Sequence, residues 1–199
     1  LLVYIFDKPT QYESFAKEND SFDVPKGALG YTWFSDDGSG ALHIVMGPPP
    51  EDLVNQTVKP IIAWQAALVR TMAFAAMYRF RSSRPVPTWT MQGLADVVAD
   101  SVLPQPVNRT RAYLFSQRKN SNVVDVLNDK LKDFAAHPLM QTLTETLLVR
   151  DRDAYVKFIL AIKDGKSPAD ALQAAYKWNF DDLADAWTTY VKRFAAVQG

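Results

Sequence analysis

The sequence predicts an α+β fold, and three observations carry that expectation. Short β-rich runs fall within the first 46 residues of the 199. Apolar residues then recur at helical spacing to the end. Proline, glycine and aspartate punctuate the boundaries between these runs. The expected arrangement is a small mixed sheet with an edge hairpin packed on a buried helix, followed by a helical C-terminal half.

Leu1–Phe6 is uncharged, apolar and closed by Asp7-Lys8-Pro9, which reads as a buried strand. Thr10-Gln11-Tyr12-Glu13 has the pattern of a capping box and starts a helix through about Lys17. Leu29–Ser35 and Ala41–Met46 flank Asp36-Asp37-Gly38-Ser39-Gly40, a hairpin signal. Gly47-Pro48-Pro49-Pro50 stops the second arm, because proline lacks the N–H a ladder needs.

Lys59–Phe80 is a long apolar helix with Pro60 in its first turn, and Arg70 is its only charge between Ile61 and Met77. Its length suits a membrane span, but a central arginine costs about 2.5 kcal/mol or more there. A helix buried in a soluble core is the expectation, with no membrane insertion by this segment. Arg81–Trp89 is a Pro-rich connection. Thr90–Leu103 is helical until Pro104-Gln105-Pro106 stops it.

Val123–Phe134 carries Val123, Val126, Leu127, Leu131 and Phe134 on one helical face. Leu139–Leu148 and Asp153–Lys163 are two further helices, with Gly165 as a C-terminal cap. Ser167-Pro168-Ala169-Asp170 is a helix start with serine as N-cap, and Asp181–Phe194 is the last helix. The expected organisation is a single domain over residues 1–199. Residues 1–103 form a strand-rich half holding the two core helices, and residues 104–199 a helical half.

Composition narrows the chemistry. Lys plus Arg and Asp plus Glu are 22 each, which argues against a general nucleic-acid binder, since such binding needs excess positive charge. Arg79, Arg81 and Arg84 cluster, as a solvated helix end does. The absence of cysteine removes disulfides and thiolate catalysis. Asn55-Gln56-Thr57 and Asn108-Arg109-Thr110 match the glycosylation sequon, a triplet common by chance. No G-x-S-x-G, P-loop or G-x-G-x-x-G is present. Asp36/Asp37 and Asp181/Asp182 fit a turn and a helix start better than a catalytic pair.

Two segments belong together. Ala67-Leu68-Val69-Arg70-Thr71-Met72-Ala73-Phe74 lies in the apolar helix. Val86-Pro87-Thr88-Trp89-Thr90-Met91-Gln92-Gly93-Leu94-Ala95-Asp96 follows it. The pair resembles the core of the peptidase MA-like family, gluzincin metallopeptidases with HExxH in a buried helix and then a pattern close to P-x-W-x-x-E-G-L-A. Pro87, Trp89, Gly93, Leu94 and Ala95 match the second pattern, and the resemblance extends over nearly the whole chain. It implies a thermolysin-like fold.

HExxH places two histidines one turn apart to bind Zn²⁺, with glutamate as general base on the metal-bound water. Arg70 stands where the resemblance puts the first histidine, Thr71 the general base, Phe74 the second histidine and Gln92 the third ligand. Arginine stays protonated, phenylalanine offers no lone pair, and a neutral amide alone is a poor zinc ligand. The site is therefore vestigial, with no cofactor expected. Phe74 is expected to fill the vacated space. Asp96, one turn after Gln92, is the expected salt-bridge partner of Arg70, with Asp100 the alternate. Of the two histidines, His43 reads as an exposed strand residue and His137 as a helix-boundary residue without signal.

The resulting expectation is a catalytically inactive pseudopeptidase, an interaction or scaffold module of a larger protein. The alternatives are an enzyme of another class reusing the cleft, or an active metallopeptidase with an unrecognised metal site. Family substrates lie along an edge strand, and Leu42, His43, Ile44 and Val45 are the residues expected to form one here. The partner would be an extended polypeptide or the rest of the parent protein. Relatives in such families are often exported, which leans the location outside the cytoplasm, to an exported or periplasmic one.

Overall fold

The structure, a computed structural model, describes residues 1–35, 39, 41–49, 60–118, 122–130 and 136–194. It is α+β, as the sequence predicts, with a three-stranded mixed sheet and a helical C-terminal half. The chain divides into two compact units. One comprises residues 1–79 and 98–104, the other residues 80–97 and 105–199.

The sheet belongs to the first unit. Strand β1 is Leu2–Ile5, β2 is Gly30–Phe34 and β3 is Leu42–Met46. The order is β1-β3-β2, with β3 parallel to β1 and antiparallel to β2. Leu42, Ile44 and Met46 point to one face and join Ala75, Trp64, Leu68 and Tyr78 in an apolar cluster. The period of two sends His43 and Val45 to the other face.

Helix α1, Pro9–Asp20, starts two residues earlier than the capping-box pattern suggests. Pro9 occupies the first turn, and the cap residue Lys8 makes no side-chain bond. Ser21 closes the helix in the left-handed conformation at φ 52°. Helix α2, Pro60–Arg79, packs on β2 and β3. Among the described residues it is the one helix long and apolar enough to cross a membrane by length and composition.

Three expectations are corrected here. β1 is not buried: Leu1, Leu2, Val3 and Ile5 are 70%, 61%, 45% and 60% exposed. An apolar run reads the same whether its strand is covered on both faces or on neither. α2 is only partly buried, with Ala66, Thr71, Ala75 and Met77 its buried residues and Ile61 and Met72 largely exposed. β3 is the central strand and not an edge, so its peptide groups are committed on both sides. The hairpin was read correctly, but β1 returns to take the far side of β3. The turn at residues 36–38 and 40 lies outside the described residues, as do Pro50 and the sequon at residues 55–57.

The second unit is helical. Helix α3, Thr88–Asp100, opens it, with its last residues counted in the first unit. Helix α4, Pro106–Ser116, was not expected: Pro106 is read above as a stop but occupies the first turn of a new helix. Helix α5 is only Val124–Leu127, because Asp129 at φ 56° turns the chain. The rest of the expected amphipathic helix, with Leu131 and Phe134, lies outside the described residues.

Helices α6 (His137–Arg150), α7 (Arg152–Lys163), α8 (Pro168–Tyr176) and α9 (Phe180–Lys192) follow. The Ser167 cap is the one the sequence announces, whereas α9 begins at Phe180, one residue before the expected start, behind an Asn179 cap the sequence reading did not name. Ser167 Oγ accepts from Asp170 N, and Asn179 and Asp182 form a reciprocal capping box. Gly165 follows α7 at φ +105°, a conformation that favours glycine.

Candidate functional site

The positions compared with metal ligands are described within their own units. Arg70, Thr71 and Phe74 lie on α2 of the first unit, and Gln92 and Asp96 on α3 of the second. Arg70 and Phe74 are one turn apart, so they share a face. The Arg70 guanidinium carbon sits 5.2 Å from the Phe74 ring centroid, a cation–π arrangement. Phe74 is half-buried, so it does not act as a fully sequestered filler.

Thr71 is buried. Its hydroxyl donates to the Leu68 carbonyl at 2.8 Å and lies 3.7 Å from the Met46 sulfur. Its own carbonyl accepts from Thr32 Oγ1 at 2.9 Å. Residue 71 therefore points at the sheet, and its short side chain is spent on the helix and on β3.

In the second unit the Gln92 amide nitrogen lies 3.2 Å from Asp96 Oδ2 and 3.2 Å from His137 Nδ1. His137 Nδ1 is 3.6 Å from Asp96 Oδ2. With neutral His137 accepting at Nδ1, the amide supplies one hydrogen to each neighbour. Sequence reasoning missed His137, 45 residues after Gln92. The one available signal was its place at the first position of α6.

The matching motif residues have a packing role. Trp89 is fully buried and stacks on Phe158 at 5.9 Å. Ala95 is fully buried, and a Cβ at Gly93 would run into the Met140 carbonyl and Thr144 Oγ1 on α6. Glycine at residue 93 lets two helices approach.

His43 is not the exposed strand residue expected. Its side chain is 15% exposed, and its Nε2 lies 2.9 Å from Asp20 Oδ2. Tyr31 OH donates to the same oxygen at 2.6 Å. Burial, then this hydrogen bond and the Asp20 charge, push the Tyr31 hydroxyl pKa well up. Trp33 stacks on the imidazole at 4.9 Å, and the Tyr4 and Phe15 rings meet it edge-on. Asp20 ends α1, where a negative charge opposes the helix dipole, and its two partners offset that cost.

An open cavity of ≈ 700 Å³ lies elsewhere in the first unit, lined by Tyr12, Glu13, Pro25, Lys26, Leu29 and Pro48 among others. It touches none of the expected site residues. No group of three or more His, Cys, Asp or Glu side chains suited to a metal occurs among the described residues.

No family model matches the chain, and no curated protein or solved structure matches it.

Proposed function

We propose that this chain is a metallopeptidase-like domain without peptidase activity, serving as an interaction or scaffold module of a larger protein. The reading starts from the resemblance of residues 67–74 and 86–96 to the peptidase MA-like core. One observation carries it further: the side chains at the four compared positions are turned to protein contacts. Arg70 lies over Phe74, Thr71 bonds its own helix, and the Gln92 amide faces Asp96 and His137.

Balanced charge supports a protein partner over a nucleic acid. We read α2 as a sheet-packing helix and not a membrane span, because Thr32 bonds the Thr71 carbonyl and Leu68 packs on β3. An extended polypeptide bound by strand addition would meet β1 or β2, since both sides of β3 are taken.

Metal analysis and a peptidase assay on the purified chain test the proposal. The expected result is no stoichiometric zinc and no cleavage of an unstructured protein. One tightly held zinc lost on Gln92→Ala, or cleavage abolished by a chelator, would overturn it.

A further inference from the structure

The outer side of β1 is a second, independent feature. Among the described residues no strand pairs with it. Natural edge strands are usually guarded by charge, proline or a bulge. Residues 1–6, Leu-Leu-Val-Tyr-Ile-Phe, contain no charged side chain and no proline.

The direction of the peptide groups follows from one bond. Phe6 N–H donates to the Met46 carbonyl of β3 at 3.0 Å. N–H and C=O of one residue point to the same side of a strand, and successive residues alternate. Phe6, Tyr4 and Leu2 therefore face β3, and Leu1, Val3 and Ile5 present their peptide groups outward. The same three residues share the sheet face of Ile44 and Met46, through the register Val3↔Ile44 and Ile5↔Met46. That is the α2 face, and α2 packs on β2 and β3.

We propose that β1 pairs with β1 of a second copy, antiparallel about a twofold axis at Val3. In that register Val3 meets Val3 and Leu1 meets Ile5, each pair exchanging both hydrogen bonds. Every outward peptide group of the strand then has a partner, and apolar side chains meet apolar side chains on the same face. An uncharged strand is self-complementary in a way a charged edge is not, and a twofold contact requires self-complementarity. The two sheets join into one of six strands. Four partly exposed aliphatic side chains present less than the roughly 800 Å² per partner of a stable interface. The dimer is accordingly weak and concentration-dependent. The inference rests on the sheet alone and stands whether or not the peptidase resemblance holds.

The absence of native cysteine allows a direct test. Val3→Cys should form an intermolecular disulfide on mild oxidation at high concentration. Ile5→Cys should not, because two Ile5 residues would sit roughly 14 Å apart in this register. Sedimentation of the unmodified chain should show a dimer that Val3→Lys loosens about tenfold or more, by placing like charges opposite each other. Leu114→Lys, at an exposed position of α4, should leave it unchanged. Should Val3→Lys fail to fold, Val3→Thr keeps the β-branched shape and should still weaken the dimer several-fold. A monomer at every concentration overturns the proposal, even if another polypeptide takes the edge. So does a dimer indifferent to residue 3, or equal cross-linking by both cysteine variants.

Discussion

The two units invest their polar groups differently. In the helical unit α6 runs with every residue from Pro138 to Leu147 buried, polar ones included. Its Glu145 accepts from Arg109 Nη2 at 2.6 Å, from Arg109 Nε at 3.2 Å, from Gln141 at 3.1 Å and from Tyr190 at 2.9 Å. Thr142 Oγ1 accepts from Trp187 Nε1 at 2.8 Å. Asn108, the second sequon asparagine, donates to Gln141. The sheet unit has one comparable knot, at His43, Asp20 and Tyr31. It leaves Leu1, Leu2, Val3, Ile5, Phe22 and Phe34 exposed, and the helical unit likewise leaves Val107, Leu114, Val149 and Val156 exposed. A buried polar network is favourable only when all its members are satisfied, and then it favours one arrangement. An apolar surface left in water favours association. The two units therefore differ in where their buried polar groups meet: along α6 and its neighbours in the helical unit, and at Asp20 beside the sheet in the other.

The largest expected effect lies in the helical unit. Trp89→Ala should cost about 3–5 kcal/mol in chemical denaturation, as for a fully buried aromatic. A small shift would mean that α3 repacks around the lost ring. Next comes Glu145→Ala, which removes the buried carboxylate that accepts from Arg109, Gln141 and Tyr190 and should cost about 3 kcal/mol. Glu145→Gln should recover part of that loss by keeping one acceptor oxygen, which at the Oε2 position serves Tyr190 and Arg109 Nε. Equal losses for the two variants would show that the charge, and not the hydrogen bonding, matters.

In the sheet unit Phe74→Ala should cost less, about 1–2 kcal/mol, because the ring is half-buried, with the Arg70 guanidinium over its face. A cost as large as that of Trp89→Ala would erase the comparison. The smallest effect concerns Tyr12, whose hydroxyl is buried with no hydrogen-bond partner among the described residues. Burial, then the Glu13 charge, push its pKa up from 10.0 to about 12. Below pH 10 both folded and unfolded forms hold the proton. Between pH 10 and about 12 only the unfolded form releases it, so stability falls across that window. Tyr12→Phe should be neutral or slightly stabilising at pH 7 and should flatten that alkaline loss. Melting curves at pH 7 and pH 11 would check both.

The sequence made the helices legible where local chemistry marks them. Ser167-Pro168 announces a cap and Gly165 a stop, while the Asn179–Asp182 capping box went unread. Pro106 misled because proline ends one helix and begins another by the same missing N–H. Strand order was not legible. The hairpin is local, but β1 pairs with β3 across some forty residues, and no short pattern encodes that partner. Of the candidate site, the residue types were legible and their neighbours were not. His137 joins Gln92 through packing of α3 and α6, and His43 meets Asp20 through the packing of α1 on the sheet. Exposure was misread for Leu1–Phe6, since hydrophobicity says what a residue tolerates and not what covers it.

The central place of β3 has a kinetic side. Its pairing with β2 closes a short loop, whereas its pairing with β1 must close the chain around α1 and the whole hairpin. Loop closure over the longer path costs more entropy before any contact rewards it. β2 and β3 are therefore expected to pair first, with β1 docking on the template they make. Substitutions in β1 should speed unfolding while leaving the folding rate nearly untouched, and those in β3 should slow folding itself. On that order, the strand that completes the sheet last is also expected to be the first to leave it.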